Sequence, residues 1–191
     1  MDVYSPDAVS NTLLDLAESE GKEICPLKLQ KLLYFCHGWH LGLTGQPLQR
    51  ELFEAWKYGP VLRSIYREFR RFRNDPITGR AVETQYIGPA HEGAGKIEQA
   101  IGRVRVFEPR LVDETVDLDT DFADGVIGRV WELYGDHSAV HLSRLTHENG
   151  TPWSQVMNAV EDREDPPPGL MIPDELMKDW FAANLLDQAV A

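Results

Sequence analysis

From Pro26 to Gly45 the chain reads PLKLQKLLYFCHGWHLGLTG, with proline in the first helical turn and glycine where a helix would stop. Its apolar residues, among them Leu29, Leu32, Leu33, Phe35, Cys36, Trp39 and Leu41, surround most of the helical circumference instead of forming one stripe. A helix of that kind has to be covered on several sides. This constraint predicts a mostly α, compact helical domain, and 191 residues suffice for a single domain over 1–191 with a core of ordinary size.

The rest of the chain supplies the cover. Ser5 and Pro6 start an amphipathic helix carrying Val9, Leu13, Leu16 and Ala17 as far as Gly21. LFEAWKYGP, 52–60, reads as a short extended segment feeding a turn, and Pro60 is expected to open a third helix. That helix would bury Val61, Leu62, Ile65, Tyr66, Phe69 and Phe72 and turn Arg63, Arg67, Arg70, Arg71 and Arg73 outward. Between Asn74 and Asp121 the pattern weakens to a turn at NDPITG and two strand candidates, VETQYI and RVRVFEP, around the glycine-rich HEGAGK. The extended pieces near 52–58, 82–87 and 103–108 make a small antiparallel β element. Helices then follow from about Phe122 to Tyr134, after a Ser138 cap, after Thr151-Pro152 and after Pro173, with the charged, proline-rich loop EDREDPPPG before the last.

The chemistry-bearing residues point away from catalysis. His37 and His40 stand at i, i+3 and His137 and His141 at i, i+4, spacings that put two ligands on one helix face. A helical zinc hydrolase also needs a glutamate after the first histidine to activate the metal-bound water, and Ser138 holds that place. A small metal-dependent hydrolase using His137, His141 and His147 is therefore an alternative with a weak motif, and the bland reading has His141 and His147 bonding backbone near helix ends. Cys36 falls among Leu32, Leu33 and Trp39, where a thiol is inert. EGAGK lacks both the spacing and the following Ser or Thr of a phosphate-binding loop.

The arginine helix raises a second alternative, a nucleic-acid-binding regulator. Its aromatics have the spacing of a buried face, however, and the whole chain carries 31 acidic against 19 basic residues, a net charge of −12. That balance opposes affinity for nucleic-acid phosphates or anionic membrane. The arginines then read either as a solvated face or as a docking face for an acidic partner. Two cysteines make no disulfide framework, the acidic N-terminus is unlike a secretory signal, and no apolar run spans a bilayer, so the protein is expected in the cytoplasm.

The blocks KLQKLLYFCHGWHLGLTGQPL (28–48), FEAWKYGPVLRSIYREFRR (53–71), VWELYGDHSAVHLSRLTHENGTPW (130–153) and IPDELMKDWF (172–181) together resemble the Panacea domain, the antitoxin domain of the SocA-like antitoxins and their GepA-like phage-associated relatives. The resemblance covers roughly two thirds of the chain. Its hallmark residues fall on Lys28, Gln30, Tyr34, Gly38, Trp39, Trp56, Tyr58, Gly59, Pro60, His147, Pro152 and Trp153. Most read as scaffold: Gly59-Pro60 sets a turn and helix start, Gly38 permits close helix approach, and the tryptophans supply buried area.

The resemblance implies an antitoxin that binds and neutralises a cognate toxin encoded beside it, with no catalytic residue, metal or cofactor. One branch of the family is regarded as a proteolytic adaptor delivering its toxin to the ClpXP protease, which adds a second partner. The chain departs from the family pattern at 74–121, a segment longer than the pattern has there and a candidate for partner choice. The docking surface expected from this reading is the outer side of the arginine helix together with 74–121.

Overall fold

The cover that residues 26–44 demand is provided by elements from both halves of the chain. In the computed structural model, which describes residues 4–89, 103–109 and 120–185, α2 (Pro26–Thr44) buries every residue from Leu29 to Trp39, and Gly45 closes it with a left-handed φ of 71°. Against it lie α1 (Pro6–Ser19), α3 (Arg63–Phe69, continued by a 3-10 turn Arg70–Phe72), α4 (Thr120–Tyr134), α5 (Ala139–Thr146) and α7 (Asp174–Ala183). The remaining helix, α6 (Pro152–Asn158), sits on α5 and α7. The described chain is mostly α, as the sequence predicts.

Local side-chain caps set three of the helix starts. The side-chain oxygens of Ser5, Ser138 and Thr151 accept from the backbone N–H of Ala8, His141 and Ser154 at 3.1, 3.1 and 3.2 Å, satisfying first-turn donors that no carbonyl reaches.

The predicted β element is present as two separate antiparallel pairs. β1 (Glu54–Trp56) and β2 (Gly59–Val61) pair Glu54 with Val61 and Trp56 with Gly59 around the two-residue turn Lys57-Tyr58. β3 (Glu83–Gly88) and β4 (Arg103–Phe107) pair Glu83 with Phe107 and Tyr86 with Val104. The extended piece at 52–58 thus turns back on its own neighbour instead of joining the other two. Pro60 accordingly lies inside β2 and does not open the helix, which starts at Arg63. The cause is tertiary: Gln30 accepts from the Leu62 N–H at 2.8 Å and donates to the Leu62 carbonyl at 3.1 Å, holding that residue extended at ψ 118°.

A buried Asn11 anchors the second pair to α1. Its amide donates to the carbonyls of Ala81 and Pro109, both at 3.0 Å, and its oxygen accepts from the Ala81 N–H at 2.8 Å. Of the 74–121 segment, HEGAGK and 110–119 lie outside the described residues. No helix among the described residues is long and apolar enough to cross a membrane.

The chain's last described helix closes the core through Phe181. Its ring makes edge contacts with Tyr34 at 5.7 Å and Trp39 at 4.8 Å, and it fits only because residue 38 is glycine: a Cβ there would stand 2.1 Å from the ring. Gly38→Ala is therefore expected to destabilise the fold by about 1–3 kcal/mol, the usual range for overpacking. In Gly38→Ala/Phe181→Leu part of that loss should return, because the smaller side chain vacates the space. Urea midpoints for the two singles and the double test this, and strict additivity would contradict the contact.

Candidate functional site, a clamped turn beside the arginine helix

The hallmark residues read singly as scaffold converge on one short stretch of backbone. Trp153 Nε1 donates to the Trp56 carbonyl at 2.9 Å, His147 Nε2 lies 3.2 Å from the Lys57 carbonyl, and Ser143 Oγ donates to the Tyr58 carbonyl at 3.0 Å. From the other side, Lys31 Nζ donates to the Pro60 carbonyl at 2.9 Å, and Gln30 takes both polar groups of Leu62. Side chains of α2, α5 and α6 thus hold the β1–β2 turn along its length, and neither Lys57 nor Tyr58 has the positive φ of the turns that favour a two-residue hairpin.

Glycine is required at the centre of this clamp on two grounds. Gly59 has φ 99°, and a Cβ on it would lie 2.7 Å from both Lys31 Nζ and Thr146 Oγ1. Lys31 is wholly buried, and burial pushes its pKa from 10.5 down to about 7.

The other family-motif positions serve the core. Lys28 donates to the Gly135 carbonyl with its ammonium 5.7 Å from the centre of the Trp131 ring. Tyr34 and Trp39 are buried, and Trp39 Nε1 donates to Tyr134 Oη at 3.3 Å. Pro152 fills the first turn of α6, and His147 meets Trp153 edge-on with ring centres 3.8 Å apart. Tyr58 is the exception: 66% of it is exposed at the tip of the turn, beside Lys57, whose ammonium pairs with Glu164.

The five arginines do not act as a set. Arg63 grips Glu54 with two bonds of 2.6 Å, and this pairing holds the Glu54 carboxyl below its usual range; Trp56 Nε1 also donates to Glu54, at 2.8 Å. Arg71 lies over the Phe72 ring at 5.0 Å. Arg67, Arg70 and Arg73 are exposed, and among the described residues no carboxylate lies within ion-pair distance of them. Tyr66, expected in the core, is 42% exposed and packs edge-on against Trp56 at 4.8 Å. Leu62, Ile65 and Phe69 fill the buried face of α3, which leaves Tyr66 at its margin. Next to Trp56, β1 and the proline loop enclose a cleft of ≈ 270 Å³ between Lys57, Arg63 and Pro166–Pro168.

The histidines are spread over other tasks. His137 and His141 rings are 4.5 Å apart, but Arg144 faces His141 Nδ1 at 3.0 Å, so His141 bonds a side chain where backbone was expected. His147 does bond backbone, between the carbonyls of Ser143 and Lys57. Among the described residues no three His, Cys, Asp or Glu side chains gather as metal ligands. Cys36 is wholly buried and its thiol is pushed well above its usual range by that burial.

An acidic group gathers beside α3. Asp7 of α1 lies among Glu83, Glu68 and Glu51, and burial together with those charges pushes its carboxyl up to about 6.

Comparison with known proteins adds what geometry cannot. A family model described as "Antitoxin SocA-like, Panacea domain" matches residues 29–154. A curated protein of Caulobacter vibrioides, antitoxin SocA, is 36% identical over 174 residues, covering 91% of this chain and 80% of its own length. No solved structure matches the chain.

Proposed function

The chain belongs to the SocA-like antitoxins of the Panacea domain family, and from that membership we propose that it neutralises a cognate toxin by binding it directly. The observation that supports a location is the outer face of α3, where Arg67 and Arg70 stand without carboxylate partners among the described residues on a chain of net charge −12. Local positive charge on an acidic molecule steers association and selects an acidic partner.

The deciding experiment expresses the neighbouring open reading frame with and without this chain. Survival only in its presence supports the reading; equal survival or equal death in both refutes it. Within that assay, the charge reversal Arg67→Glu/Arg70→Glu is expected to weaken toxin binding by about tenfold or more with an unchanged melting temperature. Unaltered affinity would move the docking surface elsewhere.

The same reading extends to delivery of the bound toxin to the ClpXP protease. An adaptor needs one surface for its client and one for the unfoldase, and a chain that gathers arginines at 67–73 on an otherwise acidic molecule of net charge −12 offers regions of opposite charge. Purified ClpXP should degrade the toxin faster with the chain than without it. Equal rates would leave blockade alone as the mechanism.

A further inference from the structure

We propose that the clamped turn and the arginine face together receive an acidic segment of the partner protein that carries one large apolar anchor, seated against Trp56. This rests on the toxin-binding reading and adds the chemistry of what is bound.

Charge selects the acidic part. Lys22, Lys57, Arg80, Arg129 and Lys178 each pair with a carboxylate, and so does Arg63, whereas Arg67, Arg70 and Arg73 have none among the described residues. Among the same residues Arg71, Arg105, Arg144 and Arg163 lack one too, but only the run 67–73 concentrates four such arginines in seven consecutive positions. Arg63, Tyr66, Arg67 and Arg70 recur at i, i+3, i+4 and i+7, so they share one side of the helix.

Packing selects the anchor. Trp56 and Tyr66 form an edge-on aromatic pair, and the ≈ 270 Å³ cleft beside Trp56 is lined by Lys57, Arg63, Pro166–Pro168 and the acidic Glu164 and Asp165, so the apolar anchor enters the cleft while the acids of the segment stay on the arginine face. Tyrosine, tryptophan and arginine are the side chains that most often carry binding hot spots. The clamp on residues 56–62 fixes this backbone in advance, so docking orders little that is not already ordered.

A nucleic acid fits the same surface less well. Phe69 is wholly buried and Phe72 is covered by Arg71, which leaves few aromatic faces for bases. A long polyanion would also meet the chain's net charge of −12, while a short acidic segment meets only the local patch.

The test uses the full chain and a fluorescent synthetic peptide of alternating Glu and Asp around one central Trp, followed by anisotropy. Three comparators are the peptide with Trp replaced by Ser, the peptide with Lys in place of its acids, and single-stranded oligothymidylate. The expected result is saturable binding of the Trp peptide, about tenfold weaker binding of the Ser peptide, and no binding of the Lys peptide or the oligonucleotide. Arg67→Glu/Arg70→Glu and, separately, Tyr66→Ala should each reduce binding while circular dichroism and melting temperature stay those of the wild type. No binding of the Trp peptide, equal binding of the Ser peptide, tighter binding of the oligonucleotide, or unaffected variants would each overturn the proposal. The survival assay separates the two ideas: peptide binding without rescue defeats the toxin reading and keeps the site, whereas rescue that is insensitive to these variants keeps the toxin reading and removes the site.

Discussion

Replacing Gly59 by alanine is expected to lower the stability of the fold by about 3–5 kcal/mol, a large share of the roughly 5–15 kcal/mol that holds a domain together. Three effects add. A φ of 99° lies beyond the left-handed well that an L-residue tolerates, at a cost of about 1–3 kcal/mol. The new Cβ would stand 2.7 Å from Lys31 Nζ and 2.9 Å from its Cε, and the lysine tail, elsewhere a group that yields, is wholly buried here. Any retreat breaks its 2.9 Å bond to the Pro60 carbonyl and leaves a buried amine unpaired, about 1–3 kcal/mol more. Gly45→Ala is the control, since its φ is 71° and nothing lies within 4 Å of the added carbon, so only the conformational cost of about 1 kcal/mol applies. Urea unfolding of the two variants measures the difference. Equal losses would mean that the clamp exerts no steric demand on residue 59.

What could be read in the sequence was what neighbouring residues decide among themselves. Ser5-Pro6, Ser138, Thr151-Pro152 and Gly45 mark helix ends correctly because a cap is a bond between residues a few positions apart. The all-round apolarity of 26–44 foretold its burial for the same reason. Pro60 was ambiguous, since proline suits a first helical turn and an edge strand alike, and the choice was made by Gln30 and Lys31 some thirty positions away. The five arginines looked equivalent because the Glu54 that takes Arg63 is brought across only by the turn. Tyr66 has the spacing of a core residue, and only the position of Trp56 shows that it lies at the margin. Of the proposed docking surface, then, the residue types were visible and their grouping was not. A signal was available: Trp56, Tyr58, Gly59 and Pro60 are four of the positions on which the family resemblance rests, within five residues, more than a turn requires for its own geometry.

The stability of the wild type is expected to rise with pH between about 7 and 9, and Lys31→Met is expected to abolish that rise. Lys31 has an ordinary pKa of 10.5 in the unfolded chain and about 7 in the fold, where burial disfavours the ammonium and no carboxylate compensates. Between those values the unfolded chain binds the proton and the folded chain does not, so raising the pH favours the fold, by about 1.4 kcal/mol per pH unit. Below pH 7 both forms are protonated and the full penalty stands, about 5 kcal/mol for the whole gap; above 10.5 both are neutral and it vanishes. The chosen window avoids Asp7, whose carboxyl is pushed up to about 6, and ends where the Cys36 thiol, with an ordinary value of 9.0 in the unfolded chain and a raised one in the fold, begins to work against the fold. Lys31→Met keeps the stem's packing and loses the bond to Pro60, so it should be less stable than the wild type at pH 9 and close to it, or above it, at pH 7. Taking the difference between the two proteins in urea cancels every other titrating group. A difference that does not change with pH would mean that Lys31 keeps its charge in the fold, and the clamp would then hold the Pro60 carbonyl with an ammonium instead of a neutral amine.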